Sequence, residues 1–376
     1  MVGETPYIGR NNYMNINKKT LLYYFKNAAS KDWQDWRWQF KHRITGIAQL
    51  EQIIGKPLTE ISGEAASVYL LAITPYYLSL VNFDAENDPI RAQCVPDIRE
   101  LSSSQGAMAD PLEEDAHTPV AKLVHRYPDR CLAIVTETCA TYCRHCNRKR
   151  FWSTSPKISL KTRLTKMLRY VSASPQIREV IISGGDPLTF DDSTLEGILS
   201  SFKAIPHVEI LRIGSRVPVV MPMRVTTDFC RILKRYRPLW LNTQFNHPNE
   251  ITPEAARACE MLLAAGIPVS NQSVLLKGVN DNKDVMRSLL YGLQKISVRP
   301  YYLFHCDPVK GCEHFRTKMD PSMKMMDEIR QQCSGLSLPQ YVLDVPGNTA
   351  KIPLSVMSGA IKNDLKKHQH FFDKIE

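Results

Sequence analysis

The chain has no run approaching the about 18 consecutive apolar residues that a membrane span needs, and Met1 to Lys18 lacks the apolar core of a signal peptide. These absences predict a cytoplasmic protein with no membrane partner. There is also no disulfide framework. Cys94, Cys131, Cys230, Cys259, Cys306, Cys312 and Cys333 are scattered, as free thiols in a reducing compartment are. The chain is basic, with 48 Lys and Arg against 38 Asp and Glu, for a formal charge of +10. Yet no Arg/Lys run is interleaved with aromatics as a single-strand binding platform requires. The excess sits in short groups, Arg144 to Arg150 and Lys362 to Lys374. They read as solvated surface and pockets for anionic cofactors, so nucleic acid is not expected as a partner.

The remaining three of the ten cysteines stand together. Cys139, Cys143 and Cys146 form a C-x3-C-x2-C triplet just after the apolar run Cys131 to Thr136, which reads as a buried strand. Three thiolates can hold three irons of a [4Fe-4S] cluster and leave the fourth open to a small molecule. The alternative is zinc, but structural zinc wants four closed ligands and no C-x2-C or H-x3-H partner follows at a usual spacing. His145 as a fourth ligand would have to turn back sharply between Arg144 and Cys146.

Around the triplet, two patterns alternate in different measure. Residues 19 to about 115 read as a helical region, with Ile44, Ile47, Leu50, Ile53 and Ile54 at helical spacing and a helix broken at Pro75. From Asp84 to about Val120 the sequence is acidic and loop-like. After the triplet, helix-like and strand-like segments alternate from Leu160 to His305, which predicts a parallel barrel or open sheet with function at the strands' C-terminal ends. The polar and Gly-rich sequences fall at those ends: Ser183 to Asp186, Gly214 to Pro218, Gln244 to Asn249, Asn271 to Ser273 and His305 to Asp307. Ahead of the first strand, Arg126 and Arg130 flank Tyr127 and Pro128. Such a pair can clamp a phosphate, and an ion pair of Arg130 with Asp129 is an equal option.

Taken in order, these segments resemble the radical S-adenosylmethionine superfamily and, within it, the lysine 2,3-aminomutase family. The resemblance runs from about Asp32 to Pro353. It is carried by Asp35-Trp-Arg-Trp-Gln, Ile73-Thr-Pro-Tyr-Tyr, His125-Arg-Tyr-Pro-Asp-Arg130, Tyr142-Cys-Arg-His-Cys, Ser183-Gly-Gly-Asp, Phe245-Asn-His-Pro-Asn-Glu250, Asn271-Gln-Ser-Val-Leu-Leu276 and His314-Phe-Arg-Thr317. It implies an α/β fold, a partial (β/α)6-type parallel barrel. The implied domains are an N-terminal helical region (1-120), the barrel (121-318) and a short C-terminal segment that anchors pyridoxal phosphate (319-376).

The resemblance assigns Cys139, Cys143 and Cys146 to the [4Fe-4S] cluster, and Ser183, Gly184, Gly185, Asp186 and Gln272 to S-adenosylmethionine. Lys351 is implied as the covalent anchor of pyridoxal phosphate, with Arg126, Tyr127 and Arg130 around that cofactor. Arg148 is implied to meet the substrate carboxylate, and Asp307 and Asp344 its distal ammonium. Two acids in one pocket ionise together around a cation, which favours lysine, with arginine next, and disfavours a glutamate-type enzyme. The implied activity is migration of the α-amino group of L-lysine to carbon 3, giving β-lysine. A flavodoxin or ferredoxin is the implied electron donor. An RNA-modifying radical enzyme is the alternative of another class. Gln244 and Phe304 stand where the family has histidine and tyrosine, and Gly347 to Ala350 replaces a Gly-rich stretch. No cysteine follows Cys333, so the family's intersubunit zinc is not expected. A homo-oligomer stays open.

Overall fold

The computed structural model describes residues 18–25, 28–58, 63–102, 106–152, 158–346 and 350–355. A nine-stranded sheet in strict sequence order organises them: β1 (Leu123–Tyr127), β2 (Arg130–Thr136), β3 (Glu179–Gly184), β4 (Ile210–Gly214), β5 (Leu239–Thr243), β6 (Val269–Leu275), β7 (Arg299–His305), β8 (Gln340–Leu343) and β9 (Ile352–Pro353). Strands β2 to β8 are parallel throughout. The edge strands β1 and β9 run antiparallel to their neighbours, and the sheet does not close into a ring.

Six helices make the crossovers: Leu160–Ser172, Asp192–Lys203, Thr227–Lys234, Pro253–Ala264, Lys283–Lys295 and Met319–Gln332. Their starts follow from local chemistry. Ser159, Asp191, Thr226 and Thr252 each accept a backbone N–H from three residues on, satisfying donors that a helix start leaves open. The strands alternate. Val180, Ile182, Leu211, Ile213 and Leu241 are buried in the core, whereas Ile181, Ser183, Arg212, Gly214 and Asn242 line a cavity. Polar residues at every second position explain why the sheet curves around a cavity rather than a dry centre.

Two sequence expectations need correction. Pro75 does not break a helix. It begins one, Pro75–Leu78, whose cap is Thr74, and the preceding Ile73 pairs with Ile44 in an isolated bridge. Proline's missing N–H costs nothing at a first helical position. The Asp84 to Val120 stretch is also more ordered than loop-like, with a helix at Pro89–Cys94 capped by Asp88 and a short 3-10 turn at Ile98–Leu101 capped by Asp97. β8 was not expected at all.

The C-terminal end of β3 lies close against the backbone leaving β2. Gly185 N–H donates to Thr136 O at 2.6 Å and Asp186 N–H to Thr138 O at 2.8 Å. Gly184 has φ +129°, and a Cβ there would meet Thr136 O; a Cβ on Gly185 would stand 2.5 Å from Thr138 O. Both obstacles are backbone and cannot rotate away. Gly184→Ala is therefore expected to lose about 2 to 4 kcal/mol of stability, read as a lower urea midpoint with unchanged slope, while Gly197→Ala, which meets nothing within 4 Å, should not.

Candidate active site

The cavity measures about 720 Å³ and opens at the C-terminal ends of the strands. Cys139, Cys143 and Cys146 line it from the loop leaving β2. That loop is held from behind by the residues between and after the cysteines. Arg144 is fully buried and donates to both oxygens of Glu100, at 2.9 and 2.6 Å, and to Leu70 O at 2.8 Å. Lys149 Nζ reaches Glu100 at 2.7 Å, and Arg148 and Arg150 both pair with Glu114. The basic group Arg144 to Arg150 is thus not a solvated surface. Its counterions come from the acidic stretch before β1. Burial pushes Glu100 up, but Arg144 and Lys149 outweigh it and hold the carboxyl below its ordinary range.

The three thiols are crowded. Burial, then Cys146, Asp186 and Cys143, raises Cys139; burial and Cys143 push Cys146 up to about 11. Anionic sulfurs gathered on one half-buried wall need a cation among them, which is what iron would supply. His145 is held instead by Asn246, 3.2 Å from its Nε2, and by Gln244. Among the described residues no three His, Cys, Asp or Glu side chains converge as ligands of a single ion. Ligands that go to different irons need not converge in that way.

The Ser183 to Asp186 turn faces the triplet, and Asp186 is its brace. Its carboxylate accepts Ser215 Oγ at 2.7 Å, Arg216 N–H at 2.8 Å, Leu188 N–H at 3.0 Å and Val217 N–H at 3.1 Å. Burial pushes this carboxyl up to about 6, against the pull of those bonds. Gln272 lines the same cavity from β6. The backbone O of Gln244 accepts from Arg216 Nε at 3.2 Å, and its side chain bonds His145.

Opposite lies an acid and cation cluster. The register of β8 with β9, Leu343 against Ile352, sets Asp344 across from Lys351. Lys351 Nζ donates to Asp344 Oδ2 at 2.8 Å and to Tyr127 OH at 3.1 Å, with the Tyr127, Phe304 and Tyr302 rings 5.3, 5.6 and 6.0 Å away. Arg126 donates to Asp344 Oδ1 at 2.8 Å and to Val345 O. Arg130 pairs with Asp129 at 2.8 Å and lies 3.9 Å from the Tyr127 ring, so the ion-pair option for it holds in this structure. Among the described residues, the Asp307 carboxylate accepts a hydrogen bond only from Asn147 Nδ2, at 3.2 Å. Burial, and then the charge of Asp344, pushes Asp307 up to about 7. Gly347 to Thr349, part of the departure before the lysine, lie outside the described residues, as does Lys362 to Lys374.

All the residues singled out from sequence therefore line one cavity. Sequence reasoning missed the partners that hold them: Glu114 on Arg148, Asn147 on Asp307, and Arg216 with Glu250 beneath Cys143. The Gly214 to Pro218 and Phe245 to Glu250 segments already stood out, and an unpaired arginine in one with an acid in the other was the available signal.

The chain is similar to several known proteins. The Radical SAM superfamily matches residues 133–289. The L-lysine 2,3-aminomutase of Clostridium subterminale is 48% identical over 341 residues, covering 90% of this chain and 82% of the relative. That of Fusobacterium nucleatum is 45% identical over 345 residues, covering 91% and 80%. The glutamate 2,3-aminomutase of Clostridioides difficile is 42% identical over 342 residues, covering 90% and 81%.

Asp307 makes stability depend on pH. Its folded pKa of about 7 lies above the ordinary carboxyl value of 3.8, so the folded chain keeps a proton that the unfolded chain releases in between. Stability from this group is highest below about pH 4, falls as pH rises towards 7 and then levels. Asp307→Asn should remove that slope, its advantage over the natural chain growing between pH 5 and pH 8 by on the order of a few kcal/mol at most in urea unfolding.

Proposed function

We propose, for a chain that belongs to the lysine 2,3-aminomutase family of radical S-adenosylmethionine enzymes, that it moves the α-amino group of L-lysine to carbon 3 to give β-lysine. The observation that carries this is the placement of Lys351, Asp344 and Asp307 in the cavity lined by the cysteine triplet. Cys139, Cys143 and Cys146 would hold a [4Fe-4S] cluster, and Ser183 to Asp186 with Gln272 would receive S-adenosylmethionine. Lys351 would anchor pyridoxal phosphate, with Arg126, Tyr127 and Arg130 around it and Arg130 a candidate partner for its phosphate. The fit rests on an amine already inside the cavity and ringed by aromatic side chains. Together these groups would supply a carbon-centred radical and a conjugated system able to stabilise one.

The chain's own residues select and orient the substrate. Arg148, fixed by Glu114, presents a positive charge for the α-carboxylate. Asp344 already serves Arg126 and Lys351, whereas Asp307 has no ion-pair partner among the described residues. With Lys351 holding the cofactor, Asp344 would keep Arg126 alone, and both acids would be available to the substrate's distal cation. Lysine meets that demand. Arginine carries a distal cation too and is the second candidate, whereas a glutamate side chain would add a third negative charge. The ten cysteines are all free, consistent with work in the reducing cytoplasm, and a flavodoxin or ferredoxin would deliver the electron.

Anaerobic reconstitution with iron, sulfide and pyridoxal phosphate, then dithionite and S-adenosylmethionine, tests the proposal by offering lysine, arginine and glutamate separately. β-Lysine is the expected product; product from arginine alone would move the substrate, and S-adenosylmethionine cleavage without any β-amino acid would end the aminomutase reading. Lys351→Ala should abolish isomerisation. A cation can seat on Asp307 only when it is ionised, so KM for lysine should fall as pH rises through about 7. In Asp307→Asn that dependence should disappear, with KM raised about 30-fold or more, corresponding to roughly 2 kcal/mol or more of lost binding.

A further inference from the structure

Arg216 has no assigned part in the chemistry above, yet its guanidinium sits directly under the cysteine loop. Nη1 donates to Cys143 Sγ at 2.8 Å. Nη2 donates to Glu250 Oε1 and to Gln93 Oε1, each at 2.6 Å, and to Tyr77 OH at 3.1 Å, while Nε donates to Gln244 O. Glu250 is fully buried and cannot shift to follow it, because its Oε2 accepts the N–H groups of Asn246 and His247 and its Oε1 accepts Tyr77 OH. The backbone N–H of Arg216 is bound by Asp186. Every side of the guanidinium is therefore fixed, and one N–H is held at the sulfur.

We propose that Arg216 is a positioning residue that sets the reduction potential of the cluster bound through Cys143, which rests on the reading of the triplet as a cluster site. One-electron reduction, by dithionite or a flavodoxin-type donor, adds negative charge to the cluster and its sulfur ligands and breaks no bond. A charge-assisted N–H to sulfur bond from a buried arginine favours that more negative state and raises the potential. Glu250 tempers the effect without cancelling it, since the guanidinium stands between the carboxylate and the sulfur. Arg144, although adjacent to Cys143 in sequence, turns its guanidinium to Glu100. Cys146 Sγ accepts instead from the backbone N–H of Arg148, at 3.4 Å, so the side-chain cation acts at one ligand.

The test is an EPR-monitored redox titration of the anaerobically reconstituted full chain beside Arg216→Gln and Arg216→Lys, each checked for iron and sulfide content. Arg216→Gln should make reduction about tenfold less favourable, 59 mV more negative for one electron, with Arg216→Lys in between. A cluster-loaded Arg216→Gln at the natural potential overturns the proposal and leaves the cluster reading intact. Natural chain that takes up no cluster overturns both. Should the variants fail to load, hyperfine spectroscopy of the reduced natural chain, grown with arginine carrying nitrogen-15 in the guanidine group alone, decides the matter. That label excludes the Arg148 backbone nitrogen. A guanidine nitrogen coupled to the cluster is expected, and its absence overturns the proposal.

Discussion

The buried carboxylate of Asp186 is the interaction on which the site's geometry depends. It takes donors from its own turn and from the segment after β4, while its N–H binds Thr138 O on the cysteine loop. Three strand ends are thereby tied at one point. Without it the buried N–H groups of Leu188 and Arg216 would lose the acceptor they have here, at a cost of about 1 to 3 kcal/mol apiece, so the carboxylate is strongly held even though burial opposes its charge. The close glycines beside it follow from the same constraint, since the turn must lie against the Thr136 to Thr138 backbone for these bonds to form.

Charge in the cavity is arranged by pairing each cation before any ligand arrives. Glu100 satisfies Arg144 and Lys149, Glu114 satisfies Arg148 and Arg150, Glu250 satisfies Arg216, and Asp344 satisfies Arg126 and Lys351. Buried pairs of this kind contribute little net stability, but removing one member leaves an uncompensated charge. They orient. The acidic residues before β1, far from the triplet in sequence, thus shape the loop that carries it.

The parallel sheet and its crossover helices were legible because inward and outward positions alternate and helix starts carry their own caps; the segments Leu160 to Ser172 and Pro253 to Ala265 fall within a residue of the observed helices. The N-terminal region was less so. Pro75 is compatible with ending one helix or opening another, and only the pairing of Ile73 with Ile44 decides. β8 escaped because Gln340 to Leu343 is four residues long and its pairing with β7 is a tertiary event. The site residues were legible as motifs, but their ion-pair partners were not. Glu100 and Arg144 are 44 residues apart, and no local pattern joins them.

An open sheet has two unpaired edges, and here side chains stand where a closed barrel would have a backbone ladder. β1 meets the β8 to β9 turn through Arg126 on Asp344 and Val345, and through Tyr127 on Lys351. A backbone ladder joins or slips by whole residues, whereas a seam of ion pairs and one phenol can widen by rotamer changes alone. The circumference of the cavity is therefore adjustable at one line. That line runs through Lys351, so a ligand that took up its amine would undo one fastening of the wall and leave the Arg126 fastening in place.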